Sequence, residues 1–157
     1  MDSLDFYFKN PTTTQVSGQT GCGKTRIVRK ILEEQLIQPF ATRIILVYNK
    51  WQPDYDLIRE RYPGIEFEKG WRKEIFESLS AEQRNILVIE NHMGSASSSE
   101  SVADSFTQGS NHKNLTVIYL VQNLYNKNKS QRTISLNSHY SVVFRNSRDA
   151  SQFRTMA

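Results

Sequence analysis

The stretch Gly18-Gln19-Thr20-Gly21-Cys22-Gly23-Lys24-Thr25 decides the fold of this chain. It fits the phosphate-binding loop pattern G-x-x-x-x-G-K-[ST], in which glycines let successive backbone N–H groups turn toward phosphate oxygens. The helix that follows such a loop points the positive end of its dipole at the same anion. Lys24 then reaches the β- and γ-phosphates, and Thr25 offers its hydroxyl to Mg²⁺. The motif therefore predicts a site for ATP and Mg²⁺, formed by residues Gly18, Gln19, Thr20, Gly21, Cys22, Gly23, Lys24, Thr25 and Arg26.

The residues on either side of the loop predict a helix and a strand. Residues 26–36 place Ile27, Ile31 and Leu32 on one helical face and charged residues on the others, and Pro39 is expected to close this helix. Upstream, residues 12–17 (TTTQVS) are β-branched but polar for a strand that is buried on both faces. We still predict a strand there, because a phosphate loop needs one to precede it.

Further along the chain, apolar runs of strand length alternate with helical segments. The predicted strands are residues 42–49, 85–90, 115–122 and 140–144, and the predicted helices are residues 54–61, 72–79, 99–106 and 148–156. Alternation of this kind predicts an α/β fold, a P-loop NTPase three-layer αβα sandwich with a mostly parallel central sheet. The 157 residues suffice for one domain, residues 1–157, either whole or the core of a larger protein.

Composition narrows the classes of function. The N-terminal residues include acids and no long apolar run, so we expect a soluble, intracellular protein with no membrane partner. Cys22 is the one cysteine, which excludes an internal disulfide, and His92, His112 and His139 do not have the spacing of metal ligands. The net charge of +4 suits a nucleic-acid partner.

Polar residues end two of the apolar strands, where a phosphate-loop site needs them. Glu90 ends residues 85–90, and an acid at the end of a neighbouring strand is predicted to bind the metal, because Mg²⁺ takes oxygen ligands. Asn91 stands where hydrolytic ATPases usually carry a carboxylate that polarises water, and an amide cannot act as a base. Gln122 ends residues 115–122 and is predicted to sense the γ-phosphate or the attacking water.

Longer segments resemble a known family. They are residues 47–53, 104–115 (DSFTQGSNHKNL), 121–125 (VQNLY), 132–140 and 144–149, together with the phosphate loop and the acidic strand end. In these segments the chain is similar to the genome-packaging ATPases of the FtsK/HerA superfamily, above all those of large DNA viruses, adintoviruses and Maverick/Polinton-type elements.

The resemblance implies a homo-oligomeric ring that hydrolyses ATP to drive double-stranded DNA into a capsid, associated with the host cell or the virion. It assigns Lys24 and Thr25 to the phosphate loop, Glu90 and Asn91 to the acidic pair, and Gln122 to the sensor. Arg132 and Arg145 are both candidates for an arginine that reaches a neighbouring subunit's nucleotide, and the resemblance does not choose between them. The family usually carries two acids where this chain has Glu90-Asn91.

Two alternative functions stay open. A nucleotide or small-molecule kinase has the same loop, and the basic residues Lys127, Lys129 and Arg132 could form its lid. A nucleotide-binding protein without hydrolysis is favoured by Asn91. In the packaging interpretation, the three basic residues are expected to contact DNA phosphates, because their polar neighbours suit the backbone rather than base readout.

Overall fold

A computed structural model of the chain describes residues 7–9, 11–19, 23–90, 102, 113–121 and 138–144. Within these ranges the strands are β1 (Phe8–Lys9), β2 (Thr13–Ser17), β3 (Ile37–Gln38), β4 (Arg43–Tyr48), β5 (Glu66–Lys69), β6 (Asn85–Glu90), β7 (Leu115–Val121) and β8 (Tyr140–Val143). The helices are α1 (Lys24–Glu33), α2 (Pro53–Arg61) and α3 (Lys73–Glu77).

Six of these strands form one sheet in the order β5-β4-β6-β7-β2-β8, and every pairing in it is parallel. The register places Ser17 beside both Val121 and Val143, and Glu90 beside Leu120. The carboxyl ends of the strands therefore meet at one edge, which is where open α/β sheets bind ligands. β1 and β3 pair separately, in a parallel two-stranded sheet.

The sheet lies between two layers of helices. On one face, Ile44, Leu46 and other strand residues pack against the buried positions of α1 and α2. On the other face, Ile45 and Val47 belong to a cluster that includes Ile75 of α3 and Val102. Because neighbouring residues of β4 point to opposite faces and both faces are covered, its buried residues, Ile44 to Val47, are all apolar. The predicted α/β fold with a mostly parallel sheet is confirmed.

The phosphate-loop strand β2 is polar and fully buried. Each of its residues, Thr13–Ser17, is at most 3% exposed, since β7 and β8 flank it and both faces are covered. The parallel ladders on both sides satisfy its backbone, while the side chains of Thr14 and Gln15 each leave a polar atom without a partner. The strand prediction is confirmed although its composition is unusual for this position.

The first helix differs from its predicted bounds. α1 runs over Lys24–Glu33 and not over residues 26–36, and Pro39 does not close it. Its end is a Schellman motif, in which Gln35 adopts φ 49° and its N–H bonds the Leu32 carbonyl at 3.2 Å. The N–H of Leu36 completes the motif by bonding the Ile31 carbonyl at 2.9 Å. Local hydrogen bonding therefore ends the helix before the proline is reached.

Other predicted elements shift by a residue or two or fall outside the described ranges. The strands predicted at 42–49, 115–122 and 140–144 are described as β4, β7 and β8, whereas β6 matches its predicted bounds of 85–90. α2 starts at Pro53, one residue early, and α3 is shorter than residues 72–79. Of residues 99–106 only the helical, buried Val102 is described, and residues 148–156 lie outside. None of the described helices is long and apolar enough to cross a membrane.

Candidate nucleotide-binding site

The phosphate loop leaves β2 at the edge where the strands end. The N–H of Gly18 donates to the carbonyl of Val121 at 3.1 Å, which ties the start of the loop to the end of β7. The ammonium of Lys24 donates to the carbonyl of Gly18 across the loop. Lys24 is thus bonded to the first residue of the loop that its own motif predicts it to serve.

The start of α1 has the features of an anion site. Gly23 occupies the N-cap with φ 109°, and among the described residues neither a capping side chain nor an acid of the first turn satisfies the N–H groups there. The helix dipole favours a bound anion at this end. The end of β8 lies beside it, because a Cβ built on Gly23 would be 3.6 Å from the ring of Phe144.

Glu90 ends β6 on the face that α1 and α2 cover. Its Oε1 accepts two hydrogen bonds, from the N–H of Asn49 at 2.9 Å and from the hydroxyl of Tyr55 at 3.1 Å. Burial, and after it the charge of Glu90, raises the pKa of the Tyr55 phenol above its ordinary value of 10.0, so this phenol stays a donor. These contacts fix one carboxylate oxygen of Glu90 in the half-buried strand end.

The sheet order corrects one detail of the sequence prediction. Glu90 was expected on a strand that neighbours the phosphate-loop strand, but β7 lies between β2 and β6. The link between the loop and the acidic strand is made by α2 instead. The carboxylate of Asp54 accepts a hydrogen bond from the Thr25 hydroxyl at 3.2 Å, and the next residue, Tyr55, contacts Glu90.

Asp54 also pairs with a cation of α1. Its Oδ1 lies 3.2 Å from Nη1 of Arg29, while Oδ2 is the oxygen that faces Thr25. The side chains of Arg29 and Asp54 are only 26% and 24% exposed, so water screens this pair less than it would a surface pair. The first turn of α2 is thus fixed against the first two turns of α1.

The described residues cover part of the predicted site. Gly18, Gln19, Gly23, Lys24, Thr25, Arg26 and Glu90 are described, and Arg26 is exposed on α1. Thr20, Gly21, Cys22, Asn91, Gln122, Arg132 and Arg145 lie outside the described ranges, as do Lys127 and Lys129. Asn49, Tyr55, Asp54 and Arg29 were not predicted from the sequence, and no motif marks them.

The oxygen groups present in the described residues fit Mg²⁺. In the described part of the chain, no group of three or more His, Cys, Asp or Glu side chains could hold a metal. Mg²⁺ usually keeps several waters and is bound through one or two carboxylates together with substrate phosphates. The Thr25 hydroxyl with its Asp54 partner, and the Glu90 carboxylate, are groups of that kind.

Comparison with solved structures identifies the fold. The chain is similar to the cytoplasmic domain of EssC, with TM-score 0.64 and 10% identity, over 94% of this chain and 35% of that one. It is similar to B204, the DNA-packaging ATPase from Sulfolobus Turreted Icosahedral Virus, with TM-score 0.61 and 11% identity, over 92% and 82% of the two chains. A KaiC-like protein from Pyrococcus horikoshii OT3 gives TM-score 0.55 and 15% identity, over 89% and 76%.

At these identities the comparison shows a shared P-loop NTPase fold. The chain spans about a third of the length of the EssC domain, since it covers 35% of it. No family model matches the chain, and no curated protein matches it.

Proposed function

We propose that this chain binds ATP with Mg²⁺ at residues 18–26 and hydrolyses it as the motor domain of a double-stranded DNA packaging or translocating ATPase. The observation that carries the proposal is the junction of β2 and α1. There Lys24 donates to the Gly18 carbonyl, and the start of a helix without a capping side chain lies at the carboxyl edge of a parallel sheet. A helix start of this kind, with a lysine above it, suits the phosphates of a nucleotide.

In this proposal, different described residues contact the phosphates and the Mg²⁺ ion. Lys24 supplies the positive charge for the β- and γ-phosphates, and the N–H groups at the start of α1 bind phosphate oxygens. Thr25 and Glu90 are the residues that would hold Mg²⁺, which neutralises charge that develops on the phosphates. Glu90 is suited to this because Asn49 and Tyr55 both donate to Oε1, which fixes the carboxylate in place.

The roles of the remaining residues belong to the same proposal. Asn91 takes the second position of the usual acidic pair, Gln122 senses the γ-phosphate, and Arg132 or Arg145 reaches the nucleotide of the next subunit in a homo-oligomeric ring. The fold shared with B204, which is named as a DNA-packaging ATPase, supports DNA as the translocated polymer. So does the net charge of +4.

The decisive assay measures phosphate release from ATP by the assembled protein with and without double-stranded DNA. We expect turnover that DNA stimulates and that Lys24→Ala removes, while Lys30→Ala, on the exposed side of the same helix, keeps it. Turnover that is equal in Lys24→Ala and the wild type would contradict the proposed site. Turnover that DNA leaves unchanged would contradict the DNA function alone.

The second candidate is a nucleotide-binding protein that does not hydrolyse ATP, and the amide of Asn91 favours it. A positioned general base contributes on the order of 10²- to 10⁴-fold to such a rate, and an amide cannot supply it. Tight binding of Mg-ATP without phosphate release would select this candidate. Transfer of phosphate to an added nucleotide or small molecule would select a kinase instead.

A further inference from the structure

We propose that Asp54 is a positioning residue for the metal site, which directs the Thr25 hydroxyl so that its oxygen can bind Mg²⁺. This inference rests on the proposed function and adds to it a residue of α2 that no motif contains. It follows from three features of the described residues. Thr25 donates a hydrogen bond to Asp54, Oε1 of Glu90 already accepts hydrogen bonds from Asn49 and Tyr55, and Asp54 is held by an ion pair with Arg29.

The hydrogen bond determines what the hydroxyl can do. A threonine hydroxyl has one proton and two lone pairs, and a metal is bound through a lone pair. The proton must then be donated elsewhere, and Asp54 Oδ2 accepts it at 3.2 Å. An acceptor carboxylate behind a metal ligand fixes the ligand's orientation and makes its oxygen more basic.

Glu90 has different partners. Its Oε1 accepts hydrogen bonds from Asn49 and Tyr55, so the carboxylate that faces the Thr25 hydroxyl is that of Asp54. Two acids from different elements therefore share the site. Asp54 orients the Thr25 hydroxyl, and Glu90 is the acid that would bind Mg²⁺.

The setting of Asp54 is rigid, as a positioning residue requires. Arg29 fixes its other oxygen at 3.2 Å. The next residue, Tyr55, is fully buried, and its ring packs 5.4 Å from that of Trp51 and 6.1 Å from that of Phe67. The carboxylate is therefore oriented before any ligand arrives.

The test compares nucleotide affinity in Mg²⁺ with affinity in EDTA, by calorimetry with a slowly hydrolysed ATP analogue. For Asp54→Ala we expect affinity in EDTA to stay within about twofold of the wild type, because phosphate contacts of the loop remain. The gain in affinity that Mg²⁺ provides should fall roughly ten- to hundredfold, the usual effect of removing such an outer partner. Asp56→Ala is the matched control, since Asp56 lies on the same helix, is exposed and pairs with Arg59 at 3.0 Å.

Two further variants distinguish a role of Asp54 in orienting Thr25 from a purely structural role, in which its ion pair with Arg29 connects α1 and α2. Arg29→Ala breaks the ion pair but leaves the bond from Thr25, so it should retain most of the Mg²⁺ gain. Asp54→Asn should also retain much of it, because the amide oxygen still accepts the hydroxyl proton. If Arg29→Ala lost as much of the gain as Asp54→Ala, the tie between helices would explain the effect and the inference would be wrong.

A double-mutant cycle tests whether Asp54 acts through Thr25. On a Thr25→Ala background, Asp54→Ala should cause no further loss of the Mg²⁺ gain. The inference would be overturned if Asp54→Ala reduced the Mg²⁺-dependent gain in affinity as much on the Thr25→Ala background as in the wild type. It would also be overturned if Asp54→Ala alone increased that gain. The proposed function would stand in either case. A wild-type chain that binds no nucleotide would overturn both.

Discussion

At the residue scale, Gly23 shows why the phosphate loop needs glycine where it joins the helix. Its φ of 109° lies in the region that side chains rarely adopt, and it is the residue from which α1 starts. Space is not the constraint, because a Cβ there would meet the Phe144 ring at 3.6 Å, an ordinary contact distance. Backbone conformation therefore accounts for this position of the motif.

We predict that Gly23→Ala lowers the free energy of unfolding by about 1–3 kcal/mol, the usual strain of such a conformation, and weakens nucleotide binding. Urea unfolding and calorimetry measure the two effects. Gly70→Ala is a control for strain alone, since its φ is 79° and nothing lies within 4 Å of its Cβ. It should lose stability but keep nucleotide affinity.

Gly64→Ala is a second control, because Gly64 has no positive φ in the strained range and also has open space at its Cβ. It should raise the free energy of unfolding by about 0.4–1 kcal/mol, because alanine restricts the unfolded chain, and leave affinity unchanged. If Gly23→Ala behaved like Gly64→Ala, the conformation of the loop would not depend on glycine and this account of Gly23 would be wrong.

Short sequence patterns mark some residues of the proposed site, whereas other residues of that site carry no pattern, for a physical reason. Lys24, Thr25 and Glu90 are marked by short patterns, a glycine-rich loop and an acid that ends an apolar strand. Asp54 and Tyr55 have the sequence of an ordinary first turn of a helix, where acids are common. Their partners Thr25 and Glu90 are 29 and 35 residues away, so only the fold reveals the contacts.

At the element scale, the burial of a strand determines whether it can be predicted from the sequence. β6 (NILVIE) is apolar because both of its faces are covered, and its bounds were predicted correctly. β5 (EFEK) was missed, since among the described strands it lies at the edge of the sheet, pairs with β4 alone and is half-exposed. β1 and β3 have two residues each, too few for any periodicity.

The edge strand β5 is fixed by an ion pair with β4. Two nitrogens of Arg43 donate to the two oxygens of Glu66 at 2.7 and 3.0 Å, and a third donates to the Ser78 carbonyl at 2.8 Å. The hydrogen bond from Arg43 lowers the pKa of Glu66 below its ordinary value of 4.5. A lowered pKa means that the pair stabilises the fold above that value and stops doing so as the pH falls below it.

We predict that Glu66→Gln lowers the free energy of unfolding by about 0.2–1 kcal/mol at pH 7, the range for exposed pairs, because Glu66 is 45% exposed. The difference from the wild type should shrink as the pH falls below 4.5 and through the lowered pKa of Glu66 in the folded protein. Urea unfolding across pH measures it, with the exposed Glu82→Gln as control. A difference that is constant with pH would contradict the assigned pair.

At the scale of the whole molecule, the parallel sheet brings the start of the phosphate loop and Glu90 to the same edge. The contacts with DNA are predicted from the sequence alone, in residues that follow β7. Lys127, Lys129 and Arg132 lie outside the described ranges, so this assignment stays a prediction from the sequence. Nonspecific contacts to phosphates release counterions, which makes binding depend on salt in a measurable way.

We predict that replacing Lys127, Lys129 and Arg132 with alanine weakens duplex DNA binding equally for unrelated sequences. The slope of log affinity against log salt should become shallower by roughly 0.9 for each lost phosphate contact. Alanine at the exposed Lys9, Lys69 and Lys73 removes the same charge elsewhere and is the matched control. Equal slopes in the two triple variants would remove these residues from the DNA site.

The central claim, that residues 18–26 bind Mg-nucleotide, is tested most directly by calorimetric titration of wild type, Lys24→Ala and Lys30→Ala with Mg²⁺ and a slowly hydrolysed ATP analogue. Lys24 donates to the carbonyl of Gly18, whereas the exposed Lys30 lies six residues further along α1, 4.0 Å from Glu34. We predict that Lys24→Ala weakens binding by at least about tenfold, the loss of one charge-assisted hydrogen bond, while Lys30→Ala binds like the wild type. Equal affinities in all three proteins would contradict the claim.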